Sequence, residues 1–421
     1  MSTRTNAFQT LRHRDFRLLW FADSVSILGT QIQRIAITWH VFQLTNDPFQ
    51  LGLLGLFRFF PVLVFGLFGG VIADNRDRRL VLIFTHLALM ITTGVLATST
   101  LTGHDSMPLI YGVTFVSSAF NAMAGPARQA LIPNLVPRSE LAGAATMANL
   151  TMQTAMVVGP AIGGILIARH GVSTAYFIDT ASFIAVIAAA ALIQTRPERV
   201  HARERGLAAI RAGFAFLWAT PILLAVMSLD FIATFFGAIT TLMPIFAEDI
   251  LGGGANRLGL LLSAPAAGAV AGSLLFGLMR MPVRPGYGMV LCVLGYGACI
   301  AGFGLTGNLY LALLFLAGSG AADAISMALR HTIRNLVTPD EYRGRIAAAH
   351  SAFAMGGPQL GEFRVGAMAS AMGAPAAVAI GGVATVLSAV AMVRLVPTLV
   401  SYRSDDLVET ADQRTSSPQA V

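Results

Sequence analysis

Charge is scarce in this chain. Only 12% of its 421 residues are Asp, Glu, Lys or Arg, against about 25% in soluble globular domains. So few polar groups cannot cover the 55% of residues that are hydrophobic, which excludes an ordinary soluble protein and makes lipid the expected solvent. Lysine is absent, and all 28 basic residues are Arg. The net charge of +7 would suit nucleic acid only on a basic polar face. Here the arginines sit in short connectors, so no nucleic-acid partner is expected. Cysteine is limited to Cys292 and Cys299, about 10 Å apart on one helix and too far for a disulfide. No metal-ligand spacing occurs, and HExxH, GxSxG and P-loop signatures are missing. No catalytic site, metal or cofactor is expected. A sensor would need a sizeable soluble module, and no polar insertion is long enough to form one.

What the chain does have is long apolar runs. A membrane-crossing helix needs about 20 mostly apolar residues. Stretches at 16–43, 48–73, 80–102, 107–133, 141–168, 172–194, 219–247, 256–279, 286–306, 308–336, 345–372 and 375–397 qualify. The first run is too long for a signal peptide and reads as a retained span. Basic connectors stay in the cytoplasm. If alternate connectors face opposite sides, and residues at the helix ends are counted with them, Arg169 and Arg257 are the only arginines on one side. The other side, with both termini, is therefore expected to be cytoplasmic.

The spans repeat. Leu51-Gly-Leu-Leu recurs at Leu258, Arg128 before Pro137 recurs as Arg330 before Pro339, and Gly159-Pro160 with Gly163 recurs as Gly357-Pro358 with Gly361. The order is preserved with a shift of six spans. Two parallel repeats of six helices place a substrate site near the bilayer midplane. The expected fold is an all-α membrane protein of twelve transmembrane helices in two parallel-repeat six-helix halves. Residues 1–194 form the first half, 195–218 a cytoplasmic linker, 219–397 the second half, and 398–421 a disordered cytoplasmic tail.

The stretch "GGVIADNRDRR" resembles the loop motif of the major facilitator superfamily, with Gly70, Asp74, Arg78 and Arg79 matching and Asn75 and Asp77 departing from it. "GPAIGG", with Gly159, Pro160, Gly163 and Gly164, resembles the fifth-span motif of the superfamily's exporters. "FRLLWFADSVSILG", "PARQALIPNLVPRSEL" and "YFIDTASF" are similar to the bacterial branch that includes enterobactin-exporter and macrolide-efflux proteins. The resemblance implies that spans 1, 4, 7 and 10 surround the cavity. It implies that Asp74, unfavourable at a helix C-terminus, faces the start of span 11 near Arg343 and Arg345 and latches the cytoplasmic side. It also implies that spans 2 and 11 adjoin. Arg58 and Glu362 lie at similar depth on them, an expected outer gate, with Arg364 as a weaker partner. Many exporters of the superfamily carry an arginine in span 4, where this chain has Asn121.

Asp23, Arg34, Arg58, Asp179, Asp230, Asp323, Glu362 and Arg364 lie well inside spans. Ungrouped, they would cost on the order of 20 kcal/mol, so they must pair, face a cavity or be neutral. Arg34, Arg58, Trp39 and Asn121 are the expected substrate-cavity residues, with Gln31, Gln33 and His40 near Arg34; such a set suits an anionic or aromatic polar compound. Asp230, Asp323 and Asp23 are the expected proton carriers. Asp179, His86 and His350 are expected to be structural. The resulting expectation is a proton-coupled exporter of a small amphipathic or anionic, siderophore- or drug-like compound, working as a monomer in a bacterial cytoplasmic membrane. Import of a metabolite or lipid-like molecule is the alternative, and a membrane sensor or enzyme a remote one.

Overall fold

The computed structural model describes residues 7–195, 220–278, 283–338 and 343–401, with positions 215, 217 and 218 between them. The chain folds almost wholly into helices, as a backbone surrounded by hydrocarbon must. The main elements are α1 (Arg14–Thr45), α2 (Pro48–Asn75), α3 (Arg78–Leu101), α4 (Met107–Leu135), α5 (Leu141–Leu192), α6 (Pro221–Phe236), α7 (Gly254–Leu278), α8 (Pro285–Leu305), α9 (Leu309–Val337), α10 (Arg343–Met372), α11 (Ala374–Leu395) and the short α12 (Pro397–Ser401). Helix ends follow local chemistry. The Asp77 carboxylate accepts from the Arg79 N–H and starts α3. The Asn308 amide oxygen accepts from the N–H groups of Tyr310 and Leu311 and starts α9. Such caps satisfy donors that a first turn leaves open.

Nine helical stretches among the described residues are apolar and long enough to cross a bilayer, Pro221–Ile250 counted as one. α1 and α10 are not among them, since Asp23, Gln31, Gln33 and Arg34 dilute one and Arg343, Arg345, Glu362 and Arg364 the other. The spans expected at 141–168 and 172–194 run on as α5, turning at Gly171 with φ +79°. Only glycine adopts that backbone without strain.

A larger departure concerns the span expected at 219–247. It is broken. α6 stops at Phe236, and the chain resumes as a short 3-10 turn (Thr240–Leu242), one helical turn (Met243–Ile245) and a π-helical stretch (Phe246–Ile250). Gly237 gives the helix little propensity, and Pro244 lacks the N–H that would bond to the Thr240 carbonyl. The freed carbonyls are claimed by side chains: Arg364 donates to the Phe236 oxygen at 2.7 Å and the Tyr296 hydroxyl to that of Gly237 at 3.1 Å.

The chain divides into two compact units. The first comprises Met1–Ala202 with Thr241–Ser263, the second Arg203–Thr240 with Ala264–Val421. The division thus passes through the break after α6. In the first unit α1 packs on α5, α2 on α4, and α3 on α4 and α5; in the second α6 packs on α10, and α8 on α9 and α11. Small residues permit close approach. A Cβ on Gly159 would lie 2.6 Å from Gln31 Cβ, and one on Gly164 would lie 2.5 Å from the Ala255 oxygen and 2.9 Å from Gly259 Cα. The corresponding Gly357 and Gly361 lie against the backbone of α6 at Phe231 and Phe235. Each unit has an apolar core near its Arg-rich end, centred on Leu82, Leu131 and Met147 in one and on Leu229, Met289 and Ile333 in the other. Large apolar side chains such as Phe84, Leu278 and Leu314 point outward, each at least 60% exposed, as lipid-facing positions do.

Candidate functional site

The buried charges are grouped, and the grouping repeats. In the second unit Asp230 lies on α6, about 14 Å from that helix's start at 1.5 Å per residue. Asp323 and Arg330 lie two turns apart on one face of α9. The guanidinium of Arg330 donates to Asp230 Oδ1 through one terminal nitrogen and to Asp323 Oδ1 through the other, the latter at 3.2 Å. The Asp230 and Arg330 side chains are each 6% exposed, that of Asp323 39%. A planar fork can hold two carboxylates in this way, whereas a lysine ammonium presents one point charge. Two acids share one base, so the fully ionised cluster carries one net negative charge.

In the first unit Asp23 on α1 and Arg128 on α4 occupy the corresponding places in the repeat. Their side chains are separated by 3.8 Å, beyond hydrogen-bond length. Asp23 Oδ1 is buried with no hydrogen-bond partner among the described residues. Beside the pair opens a cavity of about 200 Å³, lined also by Trp20, Gln129, Asn149 and Thr151. Beside Arg330, among Leu223, Met227 and His331, lies a space of about 10 Å³. The expected carriers Asp230 and Asp323 are thus brought together, and Asp23 has a separate partner. Arg128 and Arg330 were legible only as orientation charges and repeat markers. The signal for their pairing was present, because Asp23 and Asp230 are offset by the same interval as Leu51 and Leu258.

The residues expected around the substrate on α1 are dispersed. Arg34 is exposed, whereas Trp39 is buried with its ring 5.4 Å from that of Phe42. Gln33 donates to the Thr93 hydroxyl at 2.7 Å, joining α1 to α3. His40 is 3% exposed, with Nε2 2.6 Å from Asp105 Oδ2 and Nδ1 3.2 Å from the Tyr176 hydroxyl. Asn121 is exposed and donates to the Ser117 carbonyl of its own helix at 3.0 Å. Adjacent positions on a helix point to different faces, and Gln33 and His40 are each turned to a partner outside α1.

Of the expected gate, Arg58 is buried in the first unit and Glu362 in the second. Arg364 is held by the end of α6, 5.6 and 5.3 Å from the ring centroids of Phe235 and Phe236. In the loop motif, the surroundings of Gly70 and the side chain of Asp74 lie outside what the structure describes, as do the side chains of Arg343, Arg345 and His350. Arg78 donates to the Ala130 carbonyl and to Asn134 Oδ1, at 2.9 and 2.8 Å, and Arg79 to the Ile193 carbonyl at 2.6 Å. Both thereby tie the start of α3 to neighbouring helices. Burial opposes the charge on Asp77, but the Arg79 guanidinium and N–H outweigh it and hold that carboxyl below its usual range. Asp179 is fully buried and His86 nearly so, the latter packed against Phe183.

A helical bundle with repeated, membrane-embedded acid–base groups is that of a multi-pass membrane transporter of the major facilitator type. The chain belongs to the transmembrane secretion effector family of that superfamily, matching it over residues 5–416. It is 28% identical over 391 residues to the enterobactin exporter EntS of Escherichia coli O1:K1 / APEC, covering 93% of this chain and 94% of that protein. With EntS of Escherichia coli strain SMS-3-5 the identity is 27% over 405 residues, 96% of each chain. Among solved structures it is similar to a bacterial homologue of the human lysosomal transporter Spinster in an inward-facing, unoccupied conformation, with a TM-score of 0.70, 15% identity, and coverage of 92% of this chain and 96% of that one. A bacterial homologue of the iron transporter ferroportin, in an inward-facing state, gives a TM-score of 0.69 at 15% identity over 90% and 98% of the two chains. The nucleoside transporter NupG gives 0.73 at 12% identity over 90% and 99%.

Proposed function

We propose that this protein is a proton-coupled exporter of a small amphipathic or anionic compound. It works by alternating access between two six-helix halves in a bacterial cytoplasmic membrane, with both termini in the cytoplasm. The single observation that carries the coupling is the sharing of Arg330 by Asp230 and Asp323. With both acids ionised, the cluster holds one uncompensated charge, which is costly away from water. One added proton makes the group neutral. The cluster therefore favours one proton when closed and can release it when wetted. Asp323, the more exposed carboxyl, exchanges the proton with water, and Asp230 competes with it for Arg330. Export, rather than import, is supported by the likeness to exporters along nearly the whole chain.

The test uses the full-length protein in liposomes that contain a pH-sensitive dye, with enterobactin as the first probe. An imposed proton gradient should drive enterobactin across the membrane, and a protonophore should stop it. Asp230→Asn and Asp323→Asn should each lose gradient-driven transport and keep exchange of enterobactin down its own gradient. Full gradient-driven transport in both variants would remove these carboxylates from the mechanism. Transport indifferent to the protonophore would remove proton coupling itself.

A further inference from the structure

The repeated acid–base groups have diverged, and the divergence assigns them different work. Around Arg330 the group is joined directly: both carboxylates bond to the guanidinium. Around Arg128 it is open. Asp23 is 9% exposed, lines the cavity, and has an oxygen with no hydrogen-bond partner among the described residues. Such an atom is expensive to leave unsatisfied, and more so when charged.

The shape of the gap selects the missing group. An oxygen about 2.8 Å from each atom fits between Arg128 Nη1 and Asp23 Oδ1, which are 3.8 Å apart. That oxygen must accept from the guanidinium and donate to the carboxylate, which a ligand hydroxyl does in place of a bridging water. A carboxylate has no proton for Asp23, and an ammonium has no lone pair for Arg128. The rest of the cavity selects what bears the hydroxyl. Trp20 forms one wall, with Phe16 and Ile132 also lining it. The indole N–H is already turned away to the Met147 carbonyl at 3.4 Å, so Trp20 presents its apolar ring system. A dry cavity of about 150 Å³ is known to hold benzene. The volume here, about 200 Å³, suits one substituted ring.

We infer that the cavity between α1, α4 and α5 of the first unit is a binding subsite for a hydroxylated aromatic ring of the exported compound, with the ring hydroxyl bridging Asp23 and Arg128 and the ring against Trp20. The subsite rests on the transport reading above for its role as part of a cargo path, but not for its chemistry. Gln129 and Asn149, at the more exposed side of the cavity, are placed for the polar substituents that continue from the ring.

Equilibrium binding of radiolabelled salicylate and of benzoate to the full-length protein in nanodiscs tests this. The two probes share a carboxylate and a ring and differ in the hydroxyl. Salicylate should bind saturably, and benzoate about tenfold more weakly or less, the discrimination expected for hydrogen bonds to charged groups. Arg128→Gln should weaken salicylate by about tenfold and leave benzoate little changed, whereas Trp20→Ala, which removes the ring contact that both probes share, should weaken both. This comparison of ligands on the unaltered protein needs no variant to fold. Equal binding of the two probes, or no saturable binding of either, would overturn the subsite. The proton readout in liposomes separates the two readings. Salicylate binding without gradient-driven transport would leave the subsite and remove the coupling. Coupled transport of enterobactin without discrimination between the probes would do the reverse.

Discussion

Arg330 is the residue on which the second unit's buried charges depend, and its removal has a calculable consequence. Arg330→Met keeps an unbranched apolar stem in place of the arginine methylenes but leaves Asp230 and Asp323 without a counter-charge. Asp230 has a side chain 6% exposed, and breaking a buried pair from one side typically costs 3–5 kcal/mol. Asp323, at 39%, is reached by water and adds less. For a unit of this size, each kcal/mol shifts a melting point by roughly 2–4 °C. The expected loss is therefore on the order of 10 °C at neutral pH. Lowering the pH protonates the stranded carboxyls and should recover part of it. The triple variant Asp230→Asn, Asp323→Asn, Arg330→Met strands no charge and should melt within a few degrees of the wild type, since a buried ion group replaced as a whole is often neutral in stability. Arg330→Lys should fall between, because a single ammonium cannot serve two carboxylates with the same geometry. The measurement is thermal unfolding of the purified full-length protein in detergent, with matched scan rates. A melting point for Arg330→Met equal to wild type at pH 7, or a triple variant as unstable as the single one, would refute this account of the cluster.

Three further outcomes follow from separate features. Gly164→Val should disturb the packing of Thr241–Ser263 on α5, because its Cβ would meet backbone atoms at 2.5 and 2.9 Å. An overpacking cost of about 1–3 kcal/mol should appear as faster proteolysis in that segment, and unchanged cleavage would contradict it. Asp77→Ala removes the cap of α3 and should cost about 1 kcal/mol. Because the carboxyl is held below its usual range, that contribution is present above the unfolded value of about 3.9 and is lost as the pH falls through the folded one. The wild-type advantage in melting point should therefore vanish in acid, and an advantage independent of pH would count against the cap. With Cys292 and Cys299 replaced by Ala, single cysteines at Asn46 and His104 should react with an impermeant reagent outside cells, and one at Asp77 only after permeabilisation. Labelling of Asp77 from outside would reverse the proposed orientation.

Much of the architecture is written in composition and period. So apolar a chain can satisfy its backbone in lipid only as helices or a closed barrel, and runs of about 20 residues choose helices. The ordered recurrence of Leu51 at Leu258, Arg128 at Arg330, and Gly159-Pro160 at Gly357-Pro358 exposed the repeat. The cost of unpaired charge in hydrocarbon required that Asp23, Asp230 and Asp323 pair, face a cavity or be neutral. One part of the site was almost legible: Asp323 and Arg330 are two helical turns apart and must share a face.

The identity of the partners was a different matter. Asp23 and Arg128 are distant in the chain, and only the packing of α1, α4 and α5 brings them to 3.8 Å with a cavity beside them. Gln33 and His40 are neighbours of Arg34 in sequence, yet tertiary packing turns one to Thr93 and the other to Asp105 and Tyr176. The break after Phe236 was hidden in an apolar stretch. Hydrophobicity measures how well a segment dissolves in lipid, and it does not register whether a helix continues through Gly237 and Pro244. Arg364, expected only as a weaker partner in the gate, donates to the carbonyl that this break releases. Hydrophobic period is a local property and repeats along the chain. A hydrogen bond or ion pair between helices depends on rotation and depth to within about an ångström, and only the folded packing sets those.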